Sequence, residues 1–139
     1  MLLCDTGVLL AAGNVNDHHH DVYLALLRSA EGSLLLPSPV LGQIGYLLPV
    51  AGRPARGGHL LRSFGGNGFH VAEIEQADLP RIAELVEKYV SLPLGIVDAA
   101  VIAIAERLEA AEVATVDRKH FSIVRPRHFP MFRLLPEAL

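Results

Sequence analysis

Short runs of apolar residues alternate along this chain with longer stretches whose apolar positions recur at helical spacing. The first run, Leu2-Leu3-Cys4, ends at Asp5 and leads into Thr6-Gly7-Val8-Leu9-Leu10-Ala11-Ala12, a buried strand turning into a short helix. Asp17 is placed to cap a second helix carrying Val22, Leu24, Leu26 and Leu27, which Glu31-Gly32-Ser33 breaks. Leu34-Leu35-Leu36 begins another such unit. Ser38 and Pro39 supply the N-cap and first-turn proline of a helix through Val40, Leu41, Ile44, Leu47 and Leu48. Residues 49–58 hold prolines, glycines and arginines and predict an exposed connection; helix resumes over 59–64, and 65–68 is a turn. Phe69, Val71 and Ile74 belong to a third strand, and Asp78-Leu79-Pro80 opens a helix with Ile82, Ala83, Leu85, Val86 and Tyr89 along one side. Residues 94–108 are apolar nearly all round, which places that helix in the core. Residues 113–116 make a further strand ending at Asp117, and 131–135 supply a last edge strand.

Short apolar strands separated by helices predict an α/β fold with a parallel sheet, because parallel strands need crossover helices and are then buried on both faces. Ligands of such sheets bind where the carboxyl ends of strands meet the starts of helices. With 139 residues, 51% of them hydrophobic, the chain is expected to form one domain over 1–139. Its formal charge of -3 gives no bulk positive excess, so any contact with a nucleic acid must come from a local patch. A single cysteine, Cys4, excludes an intrachain disulfide framework and favours a reducing cytoplasm. The opening reaches a carboxylate too soon for a signal peptide, and no apolar stretch approaches the ~20 residues that span a bilayer. A soluble, cytoplasmic protein that does not enter the membrane is the expectation.

Three acids fall on the strand-end rim. Asp5 directly follows the first strand, Asp117 directly follows the strand through Val116, and Asp98 lies near the start of the buried helix. Each alone is explained as a helix N-cap, whose carboxylate accepts orphan backbone N–H groups. Together they are harder to dismiss, because carboxylates gathered in a crevice repel unless protons or a cation neutralise them. Mg²⁺ prefers oxygen ligands and keeps several waters, so a few carboxylates suffice to hold it. Hydrolysis of a phosphodiester is the natural reaction for such a cluster; composition and spacing alone support only an acidic metal-binding crevice.

Four segments resemble the motifs of the PIN-domain family and, within it, the VapC-type toxins. They are Leu3-Cys4-Asp5-Thr6-Gly7-Val8-Leu9, the stretch 36–48 around Gln43, the stretch 94–108 around Asp98, and Ala114-Thr115-Val116-Asp117-Arg118-Lys119-His120-Phe121. They cover nearly the whole chain in the family's order. The resemblance implies a PIN-like three-layer α/β/α domain with a central, mainly parallel sheet. It also implies a Mg²⁺- or Mn²⁺-dependent endoribonuclease that cleaves RNA, usually dimeric and neutralised by a cognate VapB-type antitoxin in a hetero-oligomer. Asp5, Asp98 and Asp117 match the family's acidic positions as metal ligands and catalytic residues, whereas Gln43 stands where the family has a glutamate. Glutamine keeps the length and one carbonyl acceptor but loses the charge. A working variant with three acids, a weakened member and an introduced substitution all fit that residue, as does a merely solvated helix position.

Thr6 either hydrogen-bonds a carboxylate or metal-bound water, or caps the helix that begins there. Arg118 and Lys119, just beyond Asp117, are the candidate contacts to a substrate phosphate, with Arg53, Arg56, His59 and Arg62 as a second basic group. His18-His19-His20 reads as a solvated helix start, since consecutive helical side chains point about 100° apart and do not converge on one ion. Residues 65–68 lack the lysine and hydroxyl of a P-loop. Tyr46, Leu47 and Leu48 suit either core packing or a dimer or antitoxin surface. Three rival functions remain: a catalytically inactive PIN-fold module that binds RNA or antitoxin; a phosphoacceptor receiver domain, which would need an acidic neighbour beside Asp5 that the chain lacks; and a DNA or flap nuclease of the wider PIN superfamily, whose extra elements this short chain does not carry.

Overall fold

The first apolar run forms β1 (Leu2–Cys4), every residue of it buried, and it pairs with a parallel strand on each side. A computed structural model describes the backbone of residues 1–50, 55–66 and 68–137, and the side chains of these except 48–50. Arg53, Asn67, the side chain of Leu48 and part of the connection expected at 49–58 lie outside the described residues. After β1 come α1 (Thr6–Ala12), α2 (His20–Ser29), β2 (Leu34–Pro37), α3 (Ser38–Val50), α4 (Arg56–Gly66) and β3 (Phe69–Ala72). A single 3₁₀ turn (Gln76–Asp78) leads into α5 (Leu79–Lys88), then α6 (Ile96–Arg107), β4 (Glu112–Ala114), α7 (Arg118–Ile123) and β5 (Arg133–Leu135).

The five strands lie in the order β3-β2-β1-β4-β5, and every pair is parallel. The connections step outward from β1 to β2 to β3, then cross back over to β4 on the other side of β1. The boundary between β1 and β4 is therefore the point at which the winding reverses, and the crevice beyond the carboxyl ends of these two strands is where such sheets bind ligands. The α/β class and parallel sheet expected from the sequence are as observed.

The core is built from the short strands and one helix. In α6 the residues from Ala99 to Ala105 are all essentially inaccessible to solvent, as a helix apolar around its circumference requires. It packs against α5 and α3. Its polar end is tied to α5, where the Arg81 guanidinium donates two bonds of 2.8 Å to the Glu106 carboxylate, and Arg107 is within 3.2 Å of Asp78. Gly68 holds a left-handed φ of 72° and crosses Gly32 so closely that a Cβ there would meet the Gly32 backbone nitrogen at 2.6 Å, so a side chain at this turn is excluded twice over. Cys4 is sealed in the middle of the sheet, and burial, with the neighbouring Asp5 charge, pushes its thiol up to about 12.

Several boundaries differ from those expected. Helix α2 begins at His20, not at Asp17; the Asp17 carboxylate accepts the His19 backbone N–H at 2.9 Å in a local turn ahead of the helix, so it caps nothing. The third strand stops at Ala72 and leaves out Ile74, because β3 is the sheet edge and beyond Pro37 the partner strand has turned into helix. Strand β4 stops at Ala114; the Thr115 backbone N–H still reaches the Leu135 carbonyl of β5 at 3.3 Å while its hydroxyl bonds Asp5; α6 starts at Ile96 after its Gly95 cap, and Ile96 itself is exposed. Helix α4 runs to Gly66 and so takes in two glycines expected in a turn, while the last strand is only Arg133–Leu135. Ile102, fully buried, offers a test of the core assignment: Ile102→Ala is expected to cost about 2–5 kcal/mol in urea unfolding. A loss under about 1 kcal/mol would show that α6 is not the central packing element.

Candidate functional site

Asp5 ends β1 and is the N-cap of α1, with one carboxylate oxygen accepting the Thr6 backbone N–H at 2.8 Å. Its other oxygen accepts the Thr115 hydroxyl at 3.1 Å, and its own backbone N–H extends the β1–β4 pairing by donating to the Ala114 carbonyl at 3.0 Å. The Thr115 hydroxyl oxygen also accepts the Asp117 backbone N–H at 2.9 Å. One wholly buried threonine thus couples the ends of the two central strands. Gly7 completes this junction: a Cβ there would run into the Val116 side chain, so the absence of a side chain lets the α1 start approach the β4–α7 turn.

Asp117 caps α7, its Oδ1 accepting the His120 backbone N–H at 3.1 Å and its Oδ2 contacting His120 Nδ1. Asp98 sits in the first turn of α6, half-buried, with its Oδ2 3.6 Å from the same imidazole nitrogen. One ligating atom from each of Asp98, Asp117 and His120 lies within 4.8 Å of the others, and among the described residues this is the one group of acids, histidines or cysteines so arranged. Asp5, Asp98 and Asp117 thus stand at the ends of β1 and β4, Asp5 and Asp117 as helix caps, while the group whose ligating atoms converge comprises Asp98, Asp117 and His120 and leaves Asp5 out.

Burial raises the carboxyls of both Asp5 and Asp98 above the ordinary carboxylate range. The Asp117 charge raises both further, Asp5 adds to the rise at Asp98, and His120 opposes it at each. A divalent cation would relieve that mutual repulsion, and the donor set fits one, since carboxylate oxygens are the ligands that Mg²⁺ and Mn²⁺ take.

The Thr6 side chain contacts neither a carboxylate nor the helix end, and only its backbone N–H reaches Asp5. Its hydroxyl donates to Gln43 Oε1 on α3, so it is the partner of the second-motif glutamine, and Thr115 is the hydroxyl that serves Asp5. The Arg118 guanidinium bonds the Pro136 carbonyl, whereas Lys119 is exposed. Arg56 and His59 line a separate cavity of about 560 Å³ between α1, α2 and α4, whose walls include none of the acids. Arg62 is exposed, and His20 uses Nδ1 on the Ala11 carbonyl at 3.0 Å, so the histidine triplet forms no metal group among the described residues. Tyr46 and Leu47 are exposed and do not enter the core. Sequence reasoning passed over Thr115 and His120; the spacing of three residues from Asp117 to His120, one helical turn, was the available signal for the latter.

Over residues 2–125 the chain matches the PIN domain family, and it belongs to that family. It is 30% identical over 137 residues to Ribonuclease VapC26 of Mycobacterium tuberculosis, a match that covers 97% of this chain and 100% of that one. Among solved structures it resembles M. tuberculosis VapC20, described as a sarcin-ricin loop cleaving toxin, with a TM-score of 0.74 at 18% identity over 81% of this chain and 87% of that one. It also resembles VapBC2 of Rickettsia felis, bound to a DNA fragment from its promoter, with a TM-score of 0.64 at 18% identity over 82% and 86% of the two chains. The resemblance drawn from the four motifs is borne out at the level of the family and its VapC-type relatives.

The raised carboxyls carry a sign. A buried acid whose folded pKa exceeds its unfolded value favours the protonated native state, so its contribution is present below the unfolded value and is lost as pH rises through the folded one. Metal-free protein should therefore lose stability as pH rises from about 4, the unfolded carboxylate value. Asp98→Asn should raise the melting temperature of the metal-free protein at neutral pH and should flatten that pH dependence. A lowered melting temperature in a thermal scan would show that the repulsion is already compensated.

Proposed function

We propose that this chain, acting as one PIN domain over 1–139, is a divalent-metal-dependent endoribonuclease and the toxin of a toxin–antitoxin pair. The observation that carries the reading is the convergence of Asp5, Asp98 and Asp117, from elements far apart in the chain, at the reversal point of the sheet. Asp98 and Asp117 offer oxygens at the open side of the crevice, while Asp5, more deeply buried, holds the junction and adds its charge. Mg²⁺, or Mn²⁺ in its place, would supply activation of water and stabilisation of charge on the departing oxygen of the phosphodiester. Lys119, at the start of α7, and the remaining N–H groups of Arg118 are the cations beside the site for a substrate phosphate, and without a basic excess over the whole chain such local contacts must position the RNA.

Gln43 sets the expected level of activity. Its carbonyl oxygen is bound by the Thr6 hydroxyl, and a glutamate of the same length would accept that bond equally well while restoring a fourth negative charge. We read the present residue as attenuating. The likeness to VapBC2 supports an antitoxin as the partner, in a hetero-oligomer or beside a homodimer, and a cytoplasmic setting follows from that role. Among the described residues no helix is long and apolar enough to cross a membrane.

The test is cleavage of total cellular RNA with Mg²⁺ or Mn²⁺ and with EDTA. Cleavage should require metal, fall at least about 100-fold in Asp98→Ala, in line with the loss of a metal's charge stabilisation of several kcal/mol, and rise in Gln43→Glu. If neither the present chain nor Gln43→Glu cuts RNA while both still bind it, the chain is an inactive PIN-fold binding module, the reading that the missing charge at position 43 favours.

A further inference from the structure

Three of the polar groups around the crevice are already occupied. Both oxygens of Asp5 accept hydrogen bonds, from the Thr6 N–H and the Thr115 hydroxyl, and Gln43 Oε1 accepts the Thr6 hydroxyl. Asp98 differs, for among the described residues no hydrogen-bond donor satisfies its carboxylate, and the polar atom facing it is His120 Nδ1 at 3.6 Å. That nitrogen also meets Asp117 Oδ2. Two carboxylate oxygens and one imidazole nitrogen therefore converge within 4.8 Å. Donors on one octahedral ion with bonds of about 2.1 Å stand about 3 Å apart when adjacent and about 4.2 Å apart when opposite. His120 Nδ1 is in contact with Asp117 Oδ2 and 3.6 Å from Asp98 Oδ2, so the first pair must part slightly to admit an ion between the three donors.

The position of the imidazole is fixed by its neighbours. The Asp117 carboxylate accepts the His120 backbone N–H at 3.1 Å, which sets the turn. The next residue, Phe121, is fully buried and packs edge-to-face on Phe132 with ring centroids 5.8 Å apart. With α7 pinned on its inner side, the His120 ring is directed to the crevice between α6 and α7, where 22% of its side chain stays accessible, enough for an ion to reach it.

We propose that His120 is a ligand of the divalent cation, forming with Asp98 and Asp117 a mixed nitrogen–oxygen site that prefers Mn²⁺ to Mg²⁺. The proposal rests on the nuclease reading only in taking a divalent cation as the protein's cofactor. Mg²⁺ demands hard oxygen ligands, whereas a first-row transition ion accepts imidazole nitrogen, so the nitrogen donor separates the two ions. It also makes up in number for the donor charge that Gln43 does not provide, with nitrogen in place of oxygen.

The experiment is equilibrium binding of Mn²⁺ alone to the full chain without RNA, followed by the electron paramagnetic resonance of free Mn²⁺, with Mg²⁺ as competitor. The variants are His120→Ala, His120→Asn and Asp98→Asn. The present chain should bind Mn²⁺ at least about tenfold more tightly than Mg²⁺, and both His120 variants should lose about 10–100-fold in Mn²⁺ affinity while Mg²⁺ affinity changes less than about threefold, the scale on which metal-site side chains act. His120→Asn retains a side-chain donor for Asp117, so a purely structural role predicts that it binds Mn²⁺ as the present chain does. That result, or an equal loss for both ions, overturns the proposal. If Asp98→Asn abolishes Mn²⁺ binding and His120→Asn does not, only the histidine's part fails. If Asp98→Asn binds Mn²⁺ undiminished, or the present chain binds none, the metal-dependent reading of the crevice fails with it.

Discussion

The site depends on one register. Pairing Leu2 with Glu112, Leu3 with Val113 and Cys4 with Ala114 brings the residues after β1 and β4 to the same level of the sheet, so that Asp5 meets Thr115, which in turn holds the Asp117 backbone N–H. Side chains on a strand alternate between faces, and a slip of one residue would exchange the two sets and separate the pair. Both faces of these strands are buried, so that slip would force leucine and valine side chains out of the packing they fit. The hydrophobic core thus holds the acids together against their own repulsion.

Proximity of like charge is the cost of the arrangement, and the chain limits it by graded burial. Asp5 is held deepest and receives two hydrogen bonds; Asp98 and Asp117 stand closer to solvent and share an imidazole. A glutamate at position 43 would add a fourth negative group to a rim in which burial already disfavours the ionised forms of Asp5 and Asp98. Gln43 accepts the bond from Thr6 without adding that charge.

Much of this was legible in the sequence because it is local. Leu2–Cys4 and Leu34–Pro37 are too short and too apolar for anything but buried strands, and Asp5 and Asp98 declare themselves by standing in or after such runs. The features that were not legible depend on distant partners. Thr115 acquires its role from Asp5, 110 positions away, and the Thr6 hydroxyl is directed by Gln43, 37 positions away. Asp17 has the composition of a cap, but its carboxylate finds a nearer N–H in the turn before the helix. Ile74 has the pattern of a strand residue, but β3 is an edge whose neighbour has already ended. Local pattern specified the elements; tertiary pairing decided which polar groups they brought into contact.

The placement of Cys4 carries a consequence for how the molecule opens. Its thiol, one residue before Asp5, is inaccessible and held in the unreactive protonated form by burial and by the Asp5 charge. Thiol reagents react with the thiolate, so modification of this residue waits until β1 leaves the sheet. The chain contains no other cysteine. The rate at which an alkylating agent labels it is therefore an intrinsic clock for the separation of the two central strands, read without adding a probe. Because the same strands carry Asp5 and Thr115, occupancy of the crevice by any ion that bridges the acids would register in that clock as slower labelling.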